Sequence, residues 1–189
     1  GKQILLLSGN GTGGQRELPI ARTEVESLAF APSGSVLAAG RRDGSIDLFD
    51  LATQRRIRVL HGHKSPVLTL SFSREAKLAA ASSAGVATVW RLEDQEPWRR
   101  EMPLRPTSLA GTHSGALTVV GIDESKSSRN HILSVRLAAD DSHAIDYGLV
   151  EQVLHARLSP AARYLAASNK QGQLWVWKQG KTSPLWKAT

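Results

Sequence analysis

The chain contains no cysteine among its 189 residues. That absence excludes disulfides, thiolate metal sites and a cysteine nucleophile, and it suits a cytoplasmic protein. No apolar run is long enough to cross a bilayer and no signal-peptide pattern opens the chain, so no membrane partner is expected. Long helical periodicities are missing too. Aromatic residues make up only 5% of the chain, and without clustered exposed aromatics there is little on which single-stranded bases could stack. Catalytic signatures are equally scarce. There is no G-x-S-x-G and no G-x-x-x-x-G-K-[ST]. His61, His113, His131, His143 and His155 fall in no metal-ligand spacing. Asp140-Asp141 reads as a solvated turn. No catalytic residue, no metal ligand and no cofactor is expected on these grounds.

What is present is the composition of a folded domain, 41% hydrophobic and 22% charged. Twenty-four Lys and Arg stand against 17 Asp and Glu, a net charge of +7. A basic balance suits nucleic acid, an anionic surface or an acidic protein partner. The Ala- and Arg-rich composition points to a bacterial source.

One motif invites an enzyme reading. Gly9, Gly11 and Gly14 form a literal G-x-G-x-x-G after the apolar run Ile4–Leu7. A dinucleotide site needs a helix to begin at the third glycine and an acid about 20 residues on. Pro19 sits early in the required helix, and Gly34 stands where the acid is needed. The glycines therefore read as a turn between two strands.

The chain repeats itself. "VESLAFAPSGSVLAAGRRDGSIDLFDL" (25–51), "VLTLSFSREAKLAAASSAGVATVWRL" (67–92) and "VLHARLSPAARYLAASNKQGQLWVWK" (153–178) share one plan. An alternating strand ends on Phe30, Phe72 or Leu158. A turn and a small-residue strand follow (Ala38-Ala39, Ala79-Ala80, Ala166-Ala167). A glycine turn at Gly44, Gly85 or Gly172 leads to a third strand closing on Phe49, Trp90 or Trp177. The step is about 43 residues, which places a further, worn unit near 106–150. A period of this length with four short strands is the signature of a β-propeller blade.

The residues Asp43-Gly44, Phe49-Asp50 and Gly62-His63, followed by the strand to Phe72, resemble in order the pattern of WD-repeat proteins. The resemblance covers nearly the whole chain. It implies an all-β propeller of four-stranded antiparallel blades, about four and a half in this chain and incomplete as a ring. The expected units are a half-blade at 1–24 and blades at about 25–64, 67–104, 106–150 and 153–189. The rest of the propeller is then expected from another segment or chain. The resemblance also implies a structural network of a histidine, a hydroxyl, an aspartate and a tryptophan. His63, Ser82 and Trp90 supply three parts, but Ala84 stands at the aspartate position. Asp43, Phe49 and Trp177 are expected in equivalent structural roles.

The function implied is a non-catalytic protein–protein interaction scaffold or a regulatory or sensor module, forming a C-terminal portion of a larger propeller. The partners expected are proteins, including whatever completes the propeller. The alternative is a propeller that binds nucleic acid through a basic loop face. Arg41, Arg42, Lys64, Lys126, Arg129 and Lys170 are the residues expected on the partner-binding face.

Overall fold

The computed structural model describes residues 4–7, 15–19, 23–91, 97–102, 104–111, 117–123, 131–137, 144–149, 153–159 and 162–188. Among these residues there is no helix. The strands fall into five antiparallel sheets, one of two strands and four of four. The two-stranded sheet pairs β1 (Ile4–Leu6) with β2 (Arg16–Leu18). The next holds β3 (Val25–Phe30), β4 (Val36–Arg41), β5 (Ile46–Asp50) and β6 (Arg55–Leu60) in that order. The third holds β7 (Val67–Phe72), β8 (Leu78–Ser82), β9 (Val86–Trp90) and β10 (Trp98–Glu101). The fourth holds β11 (Arg105–Gly111), β12 (Leu117–Asp123), β13 (His131–Leu137) and β14 (Ala144–Leu149). The last holds β15 (Val153–Leu158), β16 (Tyr164–Asn169), β17 (Leu174–Lys178) and β18 (Trp186–Ala188).

Each sheet is a meander, and the described β4–β5 and β8–β9 reversals are short turns carrying Gly, Ser or Asp, residues that reverse a strand within a few positions. The worn unit keeps the same order without the repeat's sequence marks. Its β12 and β13 pair without a break from Leu117↔Leu137 to Asp123↔His131.

The sheets stack face to face in chain order, and each interface has its own core. Ile4, Leu18, Leu37, Ala39 and Phe49 fill the first. Ile46, Leu48, Leu70, Phe72 and Trp90 dominate the second. Leu104, Leu117, Val119 and Val135 serve the third, with Tyr147, Leu165 and Trp177 in the fourth. Burial on both faces explains why β8 and β12 are buried along their whole length. The alanine pairs lie on second strands, where facing sheets approach closely and larger side chains would overpack. The first strands adjoin one another. Ser27 Oγ donates to the Val67 carbonyl at 2.7 Å and Thr107 Oγ1 to that of Ala156 at 3.1 Å. The described sheets do not close into a ring.

The glycines of the opening motif lie outside the described residues. The strands on either side of them pair antiparallel, Ile4↔Leu18 and Leu6↔Arg16. A dinucleotide fold needs a helix and a parallel crossover at that place, whereas residues 16–18 are strand.

Candidate interaction surfaces

The β4–β5 and β8–β9 turns press against the links to the next sheet. Gly44 has φ +89°, and a Cβ there would lie 2.4 Å from the His63 carbonyl oxygen. Gly85, at φ +73°, would meet the Met102 carbonyl at 2.6 Å. Both positions require glycine for conformation and for space. The contacts gather these two turns and the links after β6 and β10 at one end of the strands.

The cations expected at that end divide. Arg42 is exposed and ion-paired with Glu24, with Glu26 3.8 Å away. Lys64 is exposed beside the Gly44 turn, and Lys170 is exposed in a turn of the last sheet. That turn is held by Asn169 Oδ1, which accepts from the Gln171 and Gln173 amides at 3.1 and 2.9 Å. Lys126 and Arg129 lie outside the described residues. Arg41 needs a correction, because it is buried and faces inward.

Arg41 forms an ion pair with Asp47, which has no exposed surface. Asp47 lies opposite Ala39 on β5, so Arg41, two residues beyond Ala39 on β4, reaches it diagonally on the same face. Arg41 Nη1 donates to Thr23 Oγ1 at 3.0 Å. Arg56 Nη1 lies 3.6 Å from the other Asp47 oxygen. Arg41 Nε and both Asp47 oxygens make no hydrogen bond of good geometry, so charge more than alignment holds the pair. Burial, the largest influence, pulls the Arg41 guanidinium below its usual range. Asp43 fixes the neighbouring turn, its Oδ1 accepting from the Ser45 amide at 2.9 Å and hydroxyl at 2.6 Å. Burial acts to raise the Asp43 carboxyl, and the hydrogen bonds from Ser45 and Thr23 outweigh it and hold it low.

In the next sheet the equivalent place is neutral. His63, 8% exposed, meets Trp90 edge-on, and neither of its nitrogens has a hydrogen-bond partner. Gly62 admits the indole, since a Cβ there would lie 2.7 Å from the Trp90 ring. Ser82 turns its hydroxyl to the Val86 carbonyl at 3.4 Å. Thr88, two residues before Trp90, has a buried hydroxyl with no partner. Burial above all, and repulsion from Arg99 second, lowers the His63 pKa to about 4. Phe49 and Trp177 are both buried. Among the described residues no group of three or more His, Asp or Glu side chains is placed to hold a metal ion.

An exposed apolar surface lies on β3. Leu28 and Phe30 are 51% and 60% exposed. Leu70 and Phe72, at the same positions of the next sheet, are 7% and 8% exposed because they pack on the β3–β6 sheet. The β1–β2 sheet covers Leu37, Ala39 and Phe49 on β4 and β5 and packs with Val25 at the start of β3, but leaves Leu28 and Phe30 bare. At the other end of the stack Tyr164, Leu185 and Trp186 are exposed, with Leu174 and Val176 half-buried between them.

A second surface escapes a turn-centred reading. Arg55, Arg56, Ile57 and Arg58 are all exposed on β6, the outermost strand of its sheet. The signal was available as the run "RRIR" in a fourth-strand position.

Comparison with known proteins agrees with this architecture. The family model for the anaphase-promoting complex subunit 4 WD40 domain matches residues 15–75. The human WD repeat and HMG-box DNA-binding protein 1 is 26% identical over 172 residues, which take in 82% of this chain and 14% of that protein. Periodic tryptophan protein 2 of Saccharomyces cerevisiae is 30% identical over 119 residues, 56% of this chain and 13% of that one. The chain thus spans only a small part of these relatives. A chain in a crystal structure of the mitotic checkpoint complex superposes with a TM-score of 0.73 at 18% identity, covering 99% of this chain and 59% of that chain. The Cps50 (Swd1) β-propeller domain of Myceliophteria thermophila gives 0.71 at 17% identity, covering 89% and 56%. The two relatives are from human and yeast, so the compositional expectation of a bacterial source gains no support from them. The repeat, the sheet order, the partial family match and the relatives agree: the chain has the β-propeller fold and is similar to WD-repeat proteins.

Proposed function

We propose that the chain is a non-catalytic protein-interaction scaffold whose bare sheet faces are covered by further β-structure from another segment or chain. One observation carries this reading. Leu28 and Phe30 are exposed where Leu70 and Phe72 are buried, although the four residues share one sequence pattern. An uncovered apolar face of that kind marks an association surface. Covering it needs two strands beside β1, each with an apolar face. The half-buried Leu174 and Val176 and the exposed Trp186 offer the matching surface at the far end.

Sedimentation of the purified chain tests this. Association, or co-purification with a complementing segment, is expected, with weaker association for Leu28→Ser/Phe30→Ser and an unchanged melt. A stable monomer with a single cooperative melt and no binding of a hydrophobic dye would overturn it.

A docking role for the turn end rests on Arg42, Lys64 and Lys170, since Arg41 is committed to Asp47. Reversal of those three to Glu is expected to lower partner capture. A nucleic-acid reading draws on the net charge of +7 and on the name of the human relative. It requires binding to oligonucleotides that falls steeply with salt.

A further inference from the structure

We propose that Ser183, in the turn between β17 and β18, is a phosphorylation site for a proline-directed kinase, and that phosphate there keeps the outer face of the last sheet uncovered. The effect on that face rests on the reading that further β-structure covers it. Three serines of the chain precede a proline: Ser65, Ser159 and Ser183. Two of them are spent on local structure. Ser65 Oγ accepts from the Ala84 amide at 3.2 Å. Ser159 Oγ accepts from the Arg163 and Tyr164 amides, each at 3.1 Å. Both serines are half-buried. Ser183 is exposed, within a run from Lys181 to Lys187 that is exposed throughout.

The turn is fastened at both ends and open between them. At its start Tyr147 Oη donates to Gln179 Oε1 at 2.9 Å, and the Lys181 amide donates to the Lys178 carbonyl at 3.0 Å. At its end the Leu185 amide donates to the Val176 carbonyl at 2.7 Å. Among the described residues neither Thr182 nor Ser183 makes a hydrogen bond. The corresponding link of the β3–β6 sheet, residues 51–54, is shorter, and its Thr53 is tied to Asp50. Pro184 has no amide hydrogen, and its ring favours an extended backbone at the serine before it. An exposed, extended serine with no bonds to break fits a kinase groove, and the missing amide suits an enzyme that selects proline at the next position. In the transfer the γ-phosphoryl group of ATP passes to Ser183 Oγ. The bond to the β-phosphate oxygen breaks, ADP leaves, and the kinase's catalytic aspartate takes the hydroxyl proton.

The new group lands beside an apolar surface. Trp186 pairs with Val176 and Ala188 with Leu174. These four share the outer face, because the alternate residues Trp175 and Trp177 pack on the preceding sheet. Ser183 is three residues from Trp186, a reach of no more than about 10 Å. Phosphate brings about two negative charges near neutral pH. Lys178 and Lys181, exposed at the same turn, moderate that charge without removing its water. A sheet closing over Trp186 has to displace that water, which opposes closure. Lys187 lies on the opposite face, with Nζ 5.4 Å from the centre of the Trp175 ring.

The test is treatment of the whole chain with a cyclin-dependent and a mitogen-activated protein kinase in magnesium-ATP, with the site located by mass spectrometry, followed by sedimentation. Ser183 is expected to carry the phosphate, Ser183→Ala to carry none, and Ser65→Ala to behave as the unsubstituted chain. Phosphorylation should weaken association, with itself or with a co-purified segment, at least about tenfold, and phosphatase should restore it. Circular dichroism melts should not change. Trp186→Ser should make the modified and unmodified chains associate alike. No incorporation, phosphate at Ser65 or Ser159 instead, or equal association with and without phosphate would each overturn this proposal alone. A chain that does not associate before phosphorylation overturns the covering of the bare faces, and the proposed effect with it.

Discussion

His63 lies edge-on to Trp90, with ring centroids 5.8 Å apart and planes inclined at 67°. The contact buries an imidazole that has no hydrogen-bond partner on either nitrogen. Its folded pKa of about 4 lies below the ordinary value of 6.5. Between those values the unfolded chain binds a proton that the folded chain does not. The stabilisation is therefore complete above pH 6.5, declines as pH falls towards 4 and then levels off. The total change is about 3 kcal/mol. Urea midpoints at pH 7 and pH 4.5 should separate strongly for the unsubstituted chain and far less for His63→Phe. Parallel behaviour of the two proteins would refute the assignment.

Ala84 occupies the place where the resembled repeats carry aspartate, and its amide donates to Ser65 Oγ at 3.2 Å, two residues beyond His63. Ala84→Asp should give the imidazole an acceptor. The expected result is a raised His63 pKa and a gain of about 1 kcal/mol near neutral pH. Histidine titration by NMR, alongside a denaturation curve, checks both parts.

Arg41→Ala should be severely destabilising, because Asp47 would remain buried without its closest cation. Loss of one partner of such a pair costs about 3–5 kcal/mol. Arg56, 3.6 Å from Asp47, should hold the loss towards the lower figure. The double variant Arg41→Leu/Asp47→Leu should recover most of it. A double-mutant cycle in urea measures the coupling, and additive losses would show that the two residues act independently.

Phe49 and Phe30 should respond in opposite ways to the same substitution. Phe49 is fully buried against Ile4, Leu18 and Leu37, so Phe49→Ala should cost about 3–5 kcal/mol. Phe30 is 60% exposed, and Phe30→Ala should change stability by no more than about 0.5 kcal/mol. Chemical denaturation of the two variants decides the matter.

The strands were legible because two-residue alternation and turn chemistry are local. Asp43-Gly44 marks its turn by the residues themselves, and the worn strands at 106–150 still stood out as short apolar runs such as Leu117–Ile122. The inward turn of Arg41 was not legible. It depends on a diagonal pairing with Asp47 across two strands, and a single arginine next to a turn looks like any exposed cation. The contrast between Phe30 and Phe72 was hidden for another reason. Their sequence surroundings match, and only the identity of the neighbouring sheet separates them. The basic edge at Arg55–Arg58 was written as a charge run but belongs to an outer strand, which attention to turns passes over.

The separate interface cores have a consequence for how the molecule comes apart. Ile4 and Leu18 answer only to the β3–β6 sheet, whereas Phe72 and Trp90 belong to a different cluster. Each sheet is tied to its neighbours and to no common centre, so opening propagates from one interface to the next. Amide hydrogens should exchange in steps along the chain, with the β1–β2 pair releasing its protons first and β8 and β12 holding theirs longest.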